Sequence, residues 1–389
     1  MNKGELINKI NDIIKFITEG KVTMFNQTFN GHPSFYLVHS KEKFDQKLDS
    51  ILKEKTYDEY SLYYYTNYMF KYMLDKYDSH TKAHFINDKY LPIKIRIFNK
   101  TPYIVDCENE NKKYKGTKIL KINDVNIDKI IKELEKIICY PSDNYLKIEL
   151  EKYLSDVNIL NSLPSVNISN KINITTNKGE ITYDLNHLNE YEDKEIKPNY
   201  NLEIINKTAV ITYNSCRDEE KMNNLIKKLS KMNNIENYII DIRGNGGGNS
   251  KVNKPLEKFL KDKKTIVLCD ERVFSSARML LITLKNQGAY TIGTPPATSI
   301  NCFGNCAMQK ELKQMNLKIM GSATYWYYDE NLKLHGYYKN EFEKALKENP
   351  NIIKPFFVDV DKKIGITLED YINNNDSVLN YALKLINRW

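Results

Sequence analysis

The second half of the chain alternates between short apolar runs and helical patterns, and this alternation restricts the fold more than any other feature. Strand patterns occur at 208–214, 237–242, 265–269 and 289–293, with helical patterns between them. Strands that alternate with helices are typical of a parallel sheet covered by helices. We therefore expect a layered α/β core over residues 206–389.

The first half of the chain has a helical pattern followed by a pattern of short strands. Residues 1–90 read mostly as helix, with a third helical pattern that ends in the polar segment KYDSHTKAHF. Residues 91–160 change to short alternating strands followed by the helical pattern IDKIIKELEKII, which is the size of a small β-rich module. Residues 161–205 read as a connector with one hairpin, KINITTNKGEITYDL, in which NKG supplies the turn. At the other end of the chain, the pattern TLEDYINNNDSVLNYALKLI predicts one terminal helix capped by Thr367.

Composition excludes several classes of function. The 389 residues are 41% hydrophobic, so we expect a folded protein throughout. The net charge of +8 comes from 58 basic and 50 acidic residues that are mixed along the chain, which favours a solvated surface over a nucleic-acid site. No run of about 20 apolar residues could span a membrane, and the N-terminal pattern lacks the apolar region of a signal peptide. The sequence predicts a soluble, cytoplasmic protein without a membrane partner.

The cysteines do not form a recognisable framework. Six cysteines are too sparse for a disulfide scaffold, and several lie in apolar runs where buried thiols are expected. Cys302 and Cys306 form a lone C-x-x-x-C with no second pair nearby. We therefore predict no metal.

The stretch DIRGNGGGNS at 241–250 is the first candidate for chemistry. Clustered glycines allow backbone N–H groups to converge on an anion such as a phosphate or an oxyanion. No Gly-Lys-Ser/Thr follows, so the loop is not a nucleotide-binding P-loop. A tight strand-to-helix turn without a ligand explains the same glycines, and the residues alone leave both interpretations open.

The stretch VFSSARML at 273–280 places two serines at the start of a helical pattern. Ser275 is predicted to be the N-cap of this helix, since serine is a favoured cap. A hydroxyl on a sharp strand-to-helix turn is also exposed for nucleophilic attack, and the Ser276 N–H would help to bind an oxyanion. A nucleophilic serine needs a base. Among six histidines, His80 in the polar D-S-H-T loop is the best placed candidate, but spacing alone does not bring it to Ser275.

Three motifs occur in order along the chain: D-S-H-T at 78–81, D-I-R-G-N-G-G-G at 241–248 and F-S-S-A at 274–277. This ordered set resembles the tricorn-like branch of the C-terminal-processing (tail-specific) serine peptidases. The resemblance covers most of the chain, including a PDZ-like unit that begins near Gly116 and a late Asn-x-Phe-Gly motif at 301–304. It implies an α/β (α+β) multidomain fold: an N-terminal helical domain, a PDZ-like β-rich module and a ClpP/crotonase-like catalytic core of stacked ββα units.

The resemblance also implies roles for individual residues. Matched one by one, they are the nucleophile Ser275, the general base His80, Ser79 to orient that base, the oxyanion-hole groups Gly247 or Gly248 with the Ser276 N–H, and the acid Glu348. Glu330 is a weaker match to the same acid. The implied reaction is acyl transfer: Ser275 attacks a peptide carbonyl, His80 accepts its proton, and water releases the acyl-enzyme.

The sequence departs from the pattern of this branch in two places. Arg278 stands where an acid usually follows S-S-A, and Pro295-Pro296-Ala297 replaces the usual glycine pair. The other branch of the family uses a Ser–Lys dyad, and Ile300 stands at the position that matches its lysine. A peptidase with this sequence must therefore be of the Ser–His kind.

The predicted function is hydrolysis of peptide bonds by a serine-type endopeptidase or oligopeptidase. Its substrates would be peptides or unfolded proteins, with no metal, cofactor or nucleic acid involved. Two alternatives stay open: a peptide-binding pseudo-protease without turnover, and a thioester-processing enzyme of the crotonase type. The PDZ-like unit lacks a clear carboxylate-binding loop, so we expect it to pack or gate and not to bind C-termini. The sequence leaves the oligomeric state and the cleavage specificity open.

Overall fold

The computed structural model describes residues 1–24, 26–188 and 198–388. Part of the predicted connector, residues 189–197, lies outside the described residues. The chain divides into two compact units. The first comprises Met1–Tyr191 and Asn301–Pro355, and the second comprises Glu192–Ile300 and Phe356–Trp389.

The helices and strands of the described residues follow one another along the chain with short connections. The α-helices are α1 (Lys3–Glu19), α2 (Lys41–Ile51), α3 (Glu59–Leu74), α4 (Ile127–Leu134), α5 (Asp143–Tyr153), α6 (Val157–Ser162), α7 (Glu219–Leu229), α8 (Lys254–Leu260), α9 (Ser275–Asn286), α10 (Lys339–Glu348), α11 (Leu368–Asn373) and α12 (Ser377–Ile386). The strands up to the end of the connector are β1 (Lys21–Met24), β2 (Gln27–Asn30), β3 (Lys82–Phe85), β4 (Ile93–Phe98), β5 (Thr101–Cys107), β6 (Thr117–Ile122), β7 (Val125–Asn126), β8 (Lys171–Thr176), β9 (Gly179–Asp184) and β10 (Tyr200–Ile205). The later strands are β11 (Thr208–Tyr213), β12 (Asn237–Asp241), β13 (Lys264–Cys269), β14 (Tyr290–Gly293), β15 (Cys302–Gly304), β16 (Met308–Leu312), β17 (Leu317–Gly321), β18 (Thr324–Tyr328), β19 (Leu334–Tyr337) and β20 (Lys362–Lys363).

The N-terminal helices begin where the sequence supplies a capping side chain. Asn2 and Glu5 form a capping box at the start of α1, Ser40 caps α2, and Asp58 caps α3. The apolar faces of these helices pack into one core with the strands of the first unit. Helix α3 ends at Leu74, its C-cap Asp75 has a φ of +46°, and the D-S-H-T loop follows within three residues.

Among its described residues, the first unit has three larger sheets besides the β1–β2 hairpin. The predicted β-rich module is an antiparallel sheet in the order β4-β5-β6-β8-β9, with β7 paired to β6. The hairpin β8–β9 turns at Asn177 and Lys178, as the NKG signal predicted. Two three-stranded sheets, β16-β17-β3 and β15-β18-β19, use strands from 301–355. Because β3 continues directly from the D-S-H-T loop, its pairing with β17 ties 301–355 to that loop.

The second unit contains the layered α/β core that the alternating pattern predicted. Its sheet has the order β10-β11-β12-β13-β14-β20, parallel from β11 onward and antiparallel between β10 and β11. Both faces are covered: Ile240 on β12 lies in the core shared with α7, α8 and α9, whereas Ile239 lies in the core shared with α12. The fold is therefore mixed α/β in more than one compact unit, as predicted.

The structure differs from the sequence prediction in the bounds and number of several elements. The terminal helix predicted from 367 onward is wrong as one helix, because Asn374 adopts a φ of +51° and Asp376 caps a new helix. Residues 301–355, which the prediction assigned to the last domain, belong to the first unit. Helices α5 and α6 were not predicted. No helix within the described ranges is long and apolar enough to cross a membrane.

Candidate active site

Two loops of the second unit meet because their strands are neighbours. Strands β12 and β13 run parallel, with Asp241 opposite Leu268, so their carboxyl ends lie at the same edge of the sheet. The glycine-rich loop leaves β12 at this edge, and the segment that leads to Ser275 leaves β13. Ligand sites of open α/β sheets form at this edge.

The first residues of the glycine-rich loop are fixed by Arg243. Its guanidinium donates to Asp241 at 2.9 Å and to both carboxylate oxygens of Asp376 at 2.8 and 2.7 Å. Burial opposes the charged form, but the two carboxylates outweigh it and hold the pKa of Arg243 above its ordinary value. Because Asp376 is also the N-cap of α12, the loop is anchored to the last helix.

Asn245 fixes the middle of the same loop and joins it to the serine turn. This residue is fully buried, and its side-chain amide donates to the Tyr213 carbonyl at 2.8 Å. Its own carbonyl accepts the Phe274 N–H at 3.0 Å. The glycine-rich loop and the residue before Ser275 are thereby held together.

Ser275 occupies a strained position at the start of α9. Its φ is +50°, a left-handed conformation that residues other than glycine adopt rarely. The N-cap of α9 is Phe274, so the prediction that Ser275 caps this helix is wrong. The Ser275 side chain is half-buried, and its hydroxyl makes no hydrogen bond within the described part of the chain. A strained strand-to-helix turn with a free hydroxyl is typical of nucleophilic serines.

Gly247 makes the closest approach to this turn. Its φ is +93°, and a Cβ built on it would lie 2.8 Å from the Phe274 carbonyl oxygen, from the Ser275 Cβ and from the Ser276 nitrogen. Contacts this short require the neighbouring atoms to move, so only glycine fits here. The sequence signal of consecutive glycines therefore has a physical cause at this position.

The two predicted oxyanion-hole glycines differ in the state of their N–H groups. The Gly247 N–H donates to the Asn245 Oδ1 at 2.9 Å. The N–H groups of Gly248 and Ser276 donate to no acceptor among the described residues. The Ser276 hydroxyl donates to the Gly248 carbonyl at 2.8 Å and holds these two residues together. Gly248 and Ser276 are thus the residues whose N–H groups are open to an anion.

Arg278, the main departure from the family pattern, is directed into the second unit. Its side chain is fully buried, and its guanidinium donates to the Thr298 hydroxyl at 2.8 Å and to the Ser299 carbonyl. These partners lie in the segment that follows Pro295-Pro296. The two departures in the sequence are therefore linked in the structure, since Arg278 holds the loop in which the prolines occur.

The predicted general base lies in the first unit, in the loop between α3 and β3. Asp78 is fully buried, and its carboxylate organises this loop. Oδ1 accepts the His80 N–H at 2.7 Å and the Thr81 N–H at 3.1 Å, while Oδ2 accepts the Thr81 hydroxyl at 2.5 Å. The His80 Nδ1 lies 4.0 Å from Oδ1, and the His80 side chain is 9% exposed. Asp78 thus fixes both the backbone and the electrostatic surroundings of His80.

His32, which the sequence analysis did not select, completes this loop. Its Nε2 lies 2.9 Å from the Asp78 Oδ2, and both side chains are buried. Its Nδ1 accepts the Ser34 N–H at 3.0 Å, so Nε2 carries the proton and donates to Asp78. Burial opposes ionisation of Asp78, but the hydrogen bonds that its carboxylate accepts from His32 and Thr81 hold the pKa of Asp78 well below its ordinary value. The two positions are 46 residues apart, and no local pattern connects them.

Ser79 is buried, and it lines a small cavity on the inner side of the same loop. Its carbonyl accepts the Tyr145 hydroxyl at 3.3 Å. Lys82 and Glu149 line the same cavity and form an ion pair of 3.1 Å. Burial raises the pKa of Glu149, but Lys82 outweighs it and keeps that pKa below its ordinary value. The carboxylate that shares a cavity with Ser79 is therefore Glu149.

The predicted acid Glu348 lies elsewhere in the first unit. It is the last residue of α10, its side chain is 67% exposed, and it pairs with Lys344 at 3.9 Å. The weaker candidate Glu330 is exposed in the turn before β19. Neither carboxylate accepts a hydrogen bond from Ser79, so the geometry gives no support to either as the acid that completes the site.

The structure therefore assembles two groups of predicted residues, one in each unit. The second unit brings together Ser275, Ser276 and the glycine-rich loop, and the first unit brings together Asp78, Ser79 and His80. Within the described ranges, no group of three or more His, Cys, Asp or Glu side chains is arranged to hold a metal ion.

Comparisons with known proteins agree with the motifs at the level of fold and of one segment. The family model described as Peptidase family S41 matches residues 207–253, which run from β11 through the glycine-rich loop. A comparison with curated protein sequences finds no match.

Among solved structures, the fold is similar to that of mature CPAF. The structure of mature CPAF complexed with lactacystin has a TM-score of 0.61 at 11% identity and covers 100% of this chain and 99% of that chain. A second structure of mature CPAF has a TM-score of 0.58 at 11% identity, covering 97% and 99%. The tricorn protease matches with a TM-score of 0.45 at 12% identity and covers 99% of this chain but 36% of that chain. The CPAF similarities establish a shared fold.

Proposed function

We propose that this protein is a serine peptidase that hydrolyses peptide bonds through an acyl-enzyme at Ser275. The observation that carries the proposal is the left-handed Ser275 turn, held against Gly247 and flanked by two open N–H groups. The match of Peptidase family S41 to the adjoining segment 207–253 supports it.

The proposed reaction begins with attack of the Ser275 Oγ on the carbonyl carbon of a peptide bond. His80 accepts the hydroxyl proton, and the developing oxyanion accepts hydrogen bonds from the Gly248 and Ser276 N–H groups. The tetrahedral intermediate then expels the amine, to which His80 returns the proton. Water attacks the resulting ester with His80 again as base, and the carboxylic acid leaves. This scheme requires that the His80 imidazole reach the Ser275 hydroxyl in the working enzyme.

The choice of Gly248 over Gly247 follows from hydrogen bonding. The Gly247 N–H is already engaged by Asn245, and an oxyanion would have to displace that bond. The Gly248 and Ser276 groups have no such competitor among the described residues. Gly247 instead has the steric role of allowing the close approach to Ser275.

The buried Asp78 supports the role of His80 as base. A carboxylate 4.0 Å from the Nδ1 favours the imidazolium that forms during acyl transfer. Because Asp78 also accepts the His80 N–H, it restricts the loop conformations that the imidazole can sample. We propose that Ser79 orients the base as the resemblance implies, with its backbone held by Tyr145.

We also propose the finer assignments that the resemblance suggests. The second unit corresponds to a ClpP/crotonase-like core, and the sheet of β4–β9 corresponds to a PDZ-like module. The protein belongs to the tricorn-like branch of the C-terminal-processing serine peptidases and acts in the cytoplasm. In the PDZ-like module, the buried Glu151 carboxylate accepts the Ile97 N–H of edge strand β4 at 2.8 Å. Because Glu151 occupies this N–H at the edge of the sheet, a peptide strand could not pair with it. We therefore propose that the module packs against the rest of the protein and does not bind peptides by strand addition.

The proposal is tested by digesting a mixed peptide library with the purified protein and mapping the products by mass spectrometry. We expect new peptide termini with the wild type and a loss of at least about 10³-fold in rate with Ser275→Ala. Ser230→Ala is the matched control because this serine is exposed at the end of α7, outside the candidate site, and it should retain cleavage. Cleavage that survives in Ser275→Ala would overturn the proposal.

A further inference from the structure

Trp326 lies flat across its sheet on glycines from two neighbouring strands. It is on β18, the middle strand of the β15-β18-β19 sheet, directly opposite Gly336. A Cβ built on Gly336 would lie 2.8 Å from the indole Cζ3, and one built on Gly304 would lie 3.1 Å from Cδ1 and 3.2 Å from Nε1. Both edges of the indole therefore rest on glycine, which fixes the plane of the ring.

The same indole lies beside the proposed general base. The Cβ position of Gly304 is also 3.6 Å from the His80 Cε1, so the imidazole and the pyrrole edge of Trp326 both contact one small region over Gly304. All of these residues belong to the first unit. The Asn-x-Phe-Gly motif noted in the sequence thus ends on the glycine that lets Trp326 and His80 approach each other.

Shielding of the sheet glycines by the Trp326 indole explains only part of this arrangement. Aromatic side chains often shield glycines on a sheet, and a flat indole is the expected result. A purely structural indole is usually buried, with its N–H hydrogen-bonded. Trp326 is half-buried, and its N–H donates to no acceptor among the described residues. The exposed part of the indole and its N–H are therefore available to a ligand.

We propose that Trp326 forms one wall of a substrate subsite beside His80, which receives an aromatic or large aliphatic side chain next to the cleaved bond. The flat indole face offers stacking and apolar contact to such a side chain, and the N–H offers one hydrogen bond to the peptide backbone. The inference rests on the proposed peptidase function, and it adds the specificity of the site.

The test compares two blocked hexapeptides, one of alanine only and one with a single central phenylalanine. Their rates of cleavage are measured with the wild type, Trp326→Phe and Trp326→Ala. We expect the wild type to prefer the phenylalanine peptide by at least about tenfold in kcat/KM, Trp326→Phe to keep most of this preference, and Trp326→Ala to lose it. A structural role alone would lower both rates equally, and an unchanged ratio in Trp326→Ala would overturn the inference.

A binding measurement separates this inference from the proposed function. The chain has two tryptophans, so the Ser275→Ala, Trp389→Phe protein contains Trp326 as its single indole. Titration with the phenylalanine peptide should change its fluorescence saturably, and the alanine peptide should bind more weakly. The absence of any change in fluorescence would overturn the subsite. If the fluorescence changes saturably but the wild-type protein cleaves neither peptide, the peptidase proposal would be overturned and the subsite would stand.

Discussion

Gly247→Ala is the substitution for which the structure predicts the most specific loss. The added Cβ would lie 2.8 Å from three atoms of residues 274–276, whereas an ordinary contact begins at 3.4 Å. Because the atoms it meets are backbone atoms and the Cβ of Ser275, the serine turn itself must move. Asn245 fixes the same turn through the Phe274 N–H, so the movement also strains that bond.

The magnitude follows from two separate costs. An alanine at a φ of +93° costs about 1–2 kcal/mol in backbone conformation. Forcing a methyl group into a packed site costs about 1–3 kcal/mol more in the free energy of unfolding. For activity, displacement of a nucleophile on the order of 1 Å costs about 10²-fold in rate. We expect Gly247→Ala to fold with reduced stability and to lose at least this factor at Ser275.

The assay is the rate of covalent labelling of Ser275 by a fluorophosphonate, with urea unfolding measured on the same samples. Two alanine variants of the same loop serve as controls, since a Cβ on Gly244 or on Gly246 would meet nothing within 4 Å. Gly244→Ala shares the positive φ, at +74°, and should lose stability but keep labelling. Gly246→Ala should change neither quantity much. Equal labelling rates in Gly247→Ala and Gly246→Ala would refute the steric argument.

Three further predictions follow from buried charges and thiols. Asp78→Asn should lower the free energy of unfolding by about 1.5–3 kcal/mol at neutral pH, because the buried carboxylate accepts hydrogen bonds from His32 and Thr81. Because the pKa of Asp78 is held below its ordinary value of about 3.9, this stabilisation is present above that pH and is lost as the pH falls below it, which urea unfolding at pH 7 and at about pH 2.5 would reveal. Glu149→Gln should lower the temperature of thermal unfolding, because it leaves Lys82 without its carboxylate. Glu348→Gln should leave both thermal unfolding and peptide cleavage unchanged. Equal effects of the two variants would contradict the assignment of Glu149 as the carboxylate beside Ser79. Iodoacetamide should not block activity in native conditions, because burial raises the pKa of Cys306 to about 12 and the other five cysteines are buried. Intact mass would detect any alkylation, and inactivation that accompanies alkylation would contradict this expectation.

The regular elements of the second unit could be predicted from sequence because each carries its own local signal. The apolar runs that became β12 and β13 are short and bounded by polar residues, and α9 follows a helical period. Their parallel neighbours then place the glycine-rich loop beside Ser275 without further information. Local pattern and sheet topology were sufficient for this part of the site.

The backbone of Ser275 could not be predicted in the same way. Its positive φ depends on contacts with Gly247 and on the bond between Phe274 and Asn245, which lie about 30 residues apart in the chain. Serine is common both as an N-cap and in turns, so its identity does not distinguish the two conformations. Only the assembled loops decide between them.

The surroundings of His80 illustrate a second limit. His32 contacts Asp78 from 46 residues away, and Trp326 and His80 both contact the region over Gly304 from distant parts of the chain. Neither contact has a periodic or spacing signal. The run NNND contains a local signal for the break of the terminal helix at Asn374, because asparagine tolerates the left-handed conformation. The apolar residues on both sides of this run keep a helical period, and the prediction of a single helix followed that period.

The central claim is that Ser275 is a nucleophile activated by His80. The most direct measurement is fluorophosphonate labelling of the purified protein, located by intact mass and peptide mapping, with Ser275→Ala and His80→Ala labelled in parallel. We expect one adduct on Ser275 that is absent in Ser275→Ala and forms at least about 10²-fold more slowly in His80→Ala. A well-folded wild type that takes up no label, or labelling that proceeds at the wild-type rate in His80→Ala, would contradict it.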